Sequence, residues 1–276
     1  MTELLTIPFS GVSSLTEAVL AATAEIPTEE PLWYRGATCR LHDLSPKLCR
    51  GEERAMDAVY DREARLLARF RERSQPYWQA APPASPWEHL FAMQHHGAPT
   101  RLLDWSENLY VAAYFSALKA SAGHTCGEHD GACVPTIWML RPVAWNAHIP
   151  QLQDTGIAVL TVADDEAKRW EPQTHTSERL AKRAKWPVAM YGVHNTARIV
   201  AQRGTFTIAG DSWQSMDTVY QAEDVFAGCL TKFELVDSDS AALMGELSRL
   251  GFAESMIFPD LVGLSRELDR SEGWVQ

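Results

Sequence analysis

Residues 94–117, QHHGAPTRLLDWSENLYVAAYFSA, crowd reactive side chains between two helix-like segments. Arg101 offers a planar guanidinium fork suited to a carboxylate or a phosphate. Asp104 stands where it can receive that fork or cap the helix that follows. His95 and His96 supply imidazoles that can move a proton near neutral pH. A second candidate is Leu32-Trp33-Tyr34-Arg35-Gly36, an apolar run broken by one arginine and closed by a glycine. An arginine on such a strand has to face a carboxylate or an anionic ligand, and Asp104 or a phosphate would serve. The third is Arg198–Phe206, read as a strand whose alternation puts Arg198, Val200, Gln202 and Gly204 on one face. Gln202 then either reaches a ligand or points outward on an edge strand. For the first stretch the structural alternative is an internal Arg101–Asp104 pair that braces the turn.

The elements that must hold these groups follow from periodicity and punctuation. Apolar Met56, Val59, Tyr60, Leu66, Leu67 and Phe70 recur at helical spacing over 52–75, ended by Pro76. Ser85-Pro86-Trp87-Glu88 combines a capping serine, a first-turn proline and a glutamate three residues after the cap, and Gly97 with Pro99 ends that helix. Within it Trp87, Phe91, Gln94 and His95 share a face, while His96 points about 100° away. Thr100, Arg101, Asp104 and Trp105 are then expected on a tight connection, followed by a buried helix over 106–120. Later runs at 136–140, 157–162, 188–193, 198–208 and 230–236 predict strands; 178–185, 240–250 and 261–268 predict short helices. Helices early and strands late favour an α+β domain over a regularly wound parallel sheet.

Composition sets limits on function. The chain has 276 residues, 46% hydrophobic and 22% charged, which excludes a disordered or small stapled peptide. Lys+Arg 25 against Asp+Glu 36 leaves −11, so the average field repels polyanions and anionic membranes, and any nucleic-acid contact needs a local basic patch. The patch that offers itself is Arg62, Arg65, Arg69 and Arg73 on the helix over 52–75; its alternative is a solvated face with Asp61 and Arg65 paired at four-residue spacing. No apolar run approaches the roughly 20 residues of a membrane helix, and five scattered cysteines suit reduced thiols, so a cytoplasmic location is expected. His124, Cys126, His129 and Cys133 suit tetrahedral zinc chemically. Their spacing fits no standard finger, and four ligands on so short a loop strain the geometry, so a surface insertion without metal is expected.

YRG at 34–36, HHGAPTRLLDWSENLYVAAYFSA, ARIVAQRGTFTI and LSRLGFAESMIFPDLVGL together resemble the FRG domain, named for a Phe-Arg-Gly signature in which Tyr34 here replaces the phenylalanine. The resemblance runs in order from about residue 30 to about residue 268, with residues 1–29 as an N-terminal extension and 30–270 as the domain. The order of the motifs is similar to that of the ADP-ribosyltransferases: a strand-borne Arg or His, a polar segment with an aromatic-rich helix, then a late strand with Glu or Gln. That similarity implies a central mixed or antiparallel split sheet and a toxin or phage-defence effector that consumes NAD. It implies transfer of ADP-ribose to a macromolecule, nucleic acid preferred, and an inhibitor (antitoxin) protein as partner. It assigns the first catalytic position to Arg35 and the third to Gln202. Thr100 or Ser106 takes the second, and Tyr34, Gly36, Arg101 and Tyr114 join the NAD contacts.

The chemistry needs a cation on the diphosphate, an aromatic clamp on nicotinamide and a group to orient the ribose or take a proton. A glutamine does not titrate usefully, so Asp104 is the nearest carboxylate and His95 or His96 a proton carrier. Two alternatives stay open. One is a hydrolase, such as a nuclease, built on His95 or His96 with Asp104 and independent of NAD. The other is a recognition domain whose Arg35 and Arg101 bind a phosphorylated ligand without turnover.

Overall fold

The computed structural model describes residues 2–78, 81–123, 126, 133–172, 184–193, 196–236 and 239–273. Among these, seven strands form one mixed sheet: β1 (Thr6–Phe9), β2 (Trp33–Ala37), β3 (Leu102–Ser106), β4 (Thr136–Leu140), β5 (Val188–Met190), β6 (Gly204–Ile208) and β7 (Leu230–Leu235), in the order β1-β7-β4-β2-β3-β6-β5. Only β1–β7 is parallel; the other pairs are antiparallel. The Tyr-Arg-Gly strand β2 is thus the middle of the sheet. The fold is α+β, with ten α-helices among the described residues.

Alternation along β2 sends Trp33 into one apolar layer and Tyr34 into the other. The first layer holds six of the ten tryptophans, Trp33, Trp87, Trp105, Trp138, Trp145 and Trp170, so most of the indole inventory is core and not an exposed stacking platform. In the second layer α1 (Val12–Ala22), α4 (Leu109–Ala120) and α8 (Ser240–Arg249) cover the sheet through Leu15, Val111, Ala113, Leu243 and Leu247. Residues 6–22, ahead of the motif-bearing segment, supply both the edge strand β1 and helix α1.

The helix over 56–74, α2, and the capped helix α3 (Pro86–His95) form where periodicity and caps place them. Ser85 Oγ accepts the Glu88 amide at 3.1 Å and Glu88 reaches back to the Ala84 amide at 2.9 Å. Other segments differ from expectation. Residues 102–106 are a strand, not a turn, so the helix begins at Leu109, where Asn108 Oδ1 accepts the Tyr110 and Val111 amides. The 198–208 run divides into α6 (Ala197–Ala201), capped by Thr196, and β6; β-branched Ile199 and Val200 hid the helix. The 157–162 run contributes a single bridge, Leu160 to Met190. The helix expected over 178–185 falls mainly outside the described residues.

Candidate functional site

The sheet parts beside its central strand. β2 and β4 pair over five residues and β3 and β6 over five, but β2 and β3 meet at one pair, Tyr34 with Ser106. Beyond it the backbones diverge, and Arg35 spans the opening, Nη1 donating to the Asp104 carbonyl at 2.6 Å. Among the described residues no carboxylate lies within ion-pair distance of Arg35. Gly36 explains itself by packing: a Cβ there would lie 2.0 Å from the Ala112 carbonyl oxygen, so glycine lets α4 rest directly on β2.

Two hollows share the floor of this opening. One, of about 260 Å³, has an apolar wall of Tyr34, Phe91, Phe115 and Phe206; the other, of about 540 Å³, is polar and carries Lys47 and Arg50. Arg35, Gln94, His95, Asp104 and Arg198 border both. Sizes of a few hundred Å³ are those of small-ligand sites. The polar hollow sets four cations, Arg35, Lys47, Arg50 and Arg198, against the one carboxylate of Asp104, in a chain whose net charge is −11. The local field is therefore opposite to the global one and suits an anion.

Asp104 is reachable by water yet ringed by protein, as the floor of a cleft is. Burial raises its pKa, against the pull of Arg35, of the Gln94 hydrogen bond and of Arg198. Thr100 donates to Gln94 Oε1, and Gln94 Nε2 donates to Asp104 Oδ2 at 2.7 Å, a relay that fixes the carboxylate. Burial lowers Arg35 to about 10, so it stays cationic at neutral pH; Asp104 raises it in part and Arg50 lowers it further. Burial also lowers Arg198, opposed by Asp104 and Asp260, and its guanidinium lies 4.7 Å over the Phe258 ring. His95 falls to about 4 through burial, His96 and Arg198, against a raising contribution from Asp260, and is neutral at pH 7. Its Nδ1 stands 3.5 Å from the Thr196 hydroxyl, and its ring meets His96 edge to face at 4.8 Å.

Of the residues singled out in the sequence, Tyr34, Arg35, Gly36, His95, Asp104, Ser106 and Gln202 all border the apolar hollow, and His96 borders the polar one. Ser106 has its hydroxyl engaged, donating to the Gln202 carbonyl at 2.7 Å and accepting the Asn108 amide at 2.9 Å. Gln202 sits not on a strand but at the turn from α6 to β6, and its Nε2 donates to the Ile257 carbonyl at 3.0 Å. Three residues do not reach the cleft. Thr100 is buried and acts through Gln94; Tyr114 is buried in the α4 layer. Arg101 is wholly buried, with Nη2 at 2.9 Å from Glu63, Nη1 on the Ala209 carbonyl, Nη2 on the Trp170 carbonyl and the Tyr60 ring 5.0 Å away. The Arg101–Asp104 brace therefore does not form; Glu63, 38 residues earlier, takes the fork.

Gln94, Arg198, Lys47 and Arg50 went unmarked as site residues. For Gln94 a signal existed, since it shares a helical face with Phe91 and His95. Lys47 opens a short 3-10 turn (Lys47–Cys49) and Arg50 follows it, and nothing local ties them to Arg35. On α2, Arg62, Arg65, Arg69 and Arg73 are exposed, and none forms an ion pair among the described residues. His124 and His129 lie outside the described residues. Among those described, no helix is long and apolar enough to cross a membrane.

The FRG domain matches over residues 30–124, from just before β2 to just past α4. The matched span holds Arg35, Gln94, His95 and Asp104; Arg198 and Gln202 lie beyond it. No curated protein and no solved structure matches the chain.

Proposed function

We propose that the cleft binds NAD and that the chain is an ADP-ribosyltransferase-like effector that cleaves the nicotinamide–ribose bond. The observation that carries this reading is Arg35, a cation with no ion-pair contact among the described residues, standing where an aromatic-walled hollow meets a cation-lined one. Such a junction suits a ligand with a planar ring at one end and a diphosphate in its middle. Arg35, with Arg50, Arg198 and Lys47, grips the phosphates, and Phe91, Phe115 and Phe206 enclose the ring.

Cleavage leaves positive charge on the ribose, and Asp104, fixed by Gln94 and Thr100, supplies the facing carboxylate. Gln202 becomes a wall residue whose amide is partly occupied. The exposed arginines of α2 suit a nucleic-acid acceptor, and a host carrying such an effector would need an inhibitor protein. The hydrolase alternative draws less support, because the Asp104 carboxylate accepts from Gln94 while His95 faces Thr196.

The test is incubation of the purified chain with adenylate-labelled NAD and separate RNA, DNA and protein pools, reading released nicotinamide and labelled acceptor. Release with transfer of label to RNA or DNA is the expected result. Saturable NAD binding without release would replace the transferase with a phosphate-ligand recognition domain, and no binding at all would sink the reading.

A further inference from the structure

Five cysteines serve as each other's controls. Cys49 and Cys229 are buried singly, Cys49 beside Leu48 and Val59 and Cys229 in the tryptophan-rich layer, as small apolar side chains commonly are. Cys39, Cys126 and Cys133 converge: their three sulfurs all lie within 4.8 Å of one another, and none is in a disulfide. Strand register causes much of this. Ala37 pairs with Thr136, so the chain leaving β2 at Cys39 and the chain entering β4 at Cys133 emerge side by side. Cys126, from the connection between α4 and β4, reaches the same point. Cys39 and Cys133 are buried and Cys126 is partly exposed, so the cluster has a closed floor and an open side.

We infer that Cys39, Cys126 and Cys133 bind a thiophilic divalent cation, zinc by preference, as a structural site apart from the cleft. Tetrahedral zinc at about 2.3 Å from each sulfur needs sulfurs about 3.8 Å apart, a contraction that side-chain rotation supplies. Binding replaces three S–H protons with three Zn–S bonds and releases the protons to solvent, with no change of oxidation state. The fourth position, on the open side, takes water or a further ligand. The consequence is mechanical. Thr38, Leu41, His42 and Asp43, which follow β2 and line a third hollow bordered by Arg35 and Arg50, are pinned through Cys39 to the α4–β4 connection. Spacing around Cys126 and Cys133 had pointed to an unmetallated insertion; Cys39, 87 residues before Cys126, supplies the ligand that a local reading lacks.

The experiment is metal analysis of the full chain purified under reducing conditions without an affinity tag that binds metal, followed by cobalt substitution. About one zinc per chain is expected, with intense sulfur-to-cobalt charge-transfer absorption after exchange. Cys126→Ser, at the partly exposed position and so the mildest change to folding, should lose at least 90% of the bound metal, as should Cys39→Ser. Cys49→Ser and Cys229→Ser should keep it. Less than 0.1 zinc per chain with no cobalt absorption on titration of the reduced protein overturns the inference. So does a disulfide between any two of the three in freshly reduced and re-equilibrated protein, or metal retained in both Cys39→Ser and Cys126→Ser. NAD turnover plays no part in the readout.

Discussion

Arg35 and Arg101 were both candidates for gripping an anion, and the fold treats them in opposite ways. Arg101 is sealed: Glu63, two backbone carbonyls and the Tyr60 ring use up its donors and its charge. Arg35 has the Asp104 carbonyl and an open cleft. A buried guanidinium that already has its carboxylate is a fastener, and one held in place by a neutral oxygen still has charge to offer. Of the two guanidiniums, only that of Arg35 borders the cleft to which the proposed reading assigns the ligand.

The largest expected effect falls on the sealed side. Glu63→Gln leaves a buried cation uncompensated and should cost about 3–5 kcal/mol of unfolding free energy in urea. Replacing both partners, Glu63→Met with Arg101→Met, removes the uncompensated charge and should recover part of that loss, the Ala209 and Trp170 carbonyls being left without their donor; a double variant more unstable than the single one would break the fastener reading. Arg35→Gln is the mirror experiment. Nicotinamide release should drop by about 10²–10³-fold, while the urea midpoint falls far less than in Glu63→Gln, because the loss of the Arg35 desolvation cost offsets the lost hydrogen bond to the Asp104 carbonyl and the lost attraction to its carboxylate. A loss of stability like that of Glu63→Gln would erase the distinction.

Acidification sharpens the comparison further, because the cleft holds a histidine pushed down to about 4. An unfolded histidine titrates near 6.5, so between these values the unfolded chain carries the extra proton. The stability His95 contributes is thus present above about 6.5 and is lost as pH falls toward 4. Denaturation profiles of the parent and of His95→Gln should diverge in that window, the variant being flatter; superimposable profiles would remove His95 from the buried wall. The smallest effect on stability concerns α2: replacing Arg62, Arg65, Arg69 and Arg73 singly by Gln should each move it by less than about 0.5 kcal/mol. If the stripe meets a nucleic-acid backbone, each replacement should also reduce the slope of log affinity against log salt by about one. An unchanged slope would leave the stripe as a solvated face.

How much of this was legible before the fold was known depended on how local the signal was. Helix α3 announced itself through Ser85, Pro86 and Glu88, and β4 through a continuous apolar run. Strand β3 did not, because Arg101, Asp104 and Ser106 read as turn chemistry although the strand's other residues are buried. Helix α6 was masked by Ile199 and Val200, with Thr196 the overlooked cap. For the cleft, Arg35 stood out as one charge in an apolar strand, and Asp104 by its place among reactive neighbours. Their true partners were out of reach: Glu63 for Arg101, Lys47, Arg50 and Arg198 for the cleft, and Cys39 for the thiol cluster are brought in by sheet order and helix packing.

The single rung joining β2 to β3 has a consequence of its own. A gap in mid-sheet leaves two strands that behave, over part of their length, as interior edges, with main-chain groups turned toward whatever enters. Those groups belong to the peptide unit and survive any substitution along the walls. A ligand seated there, as the proposed reading has it, would meet arginines that mutation can remove and main-chain groups that it cannot, on either side of the Tyr34–Ser106 pair.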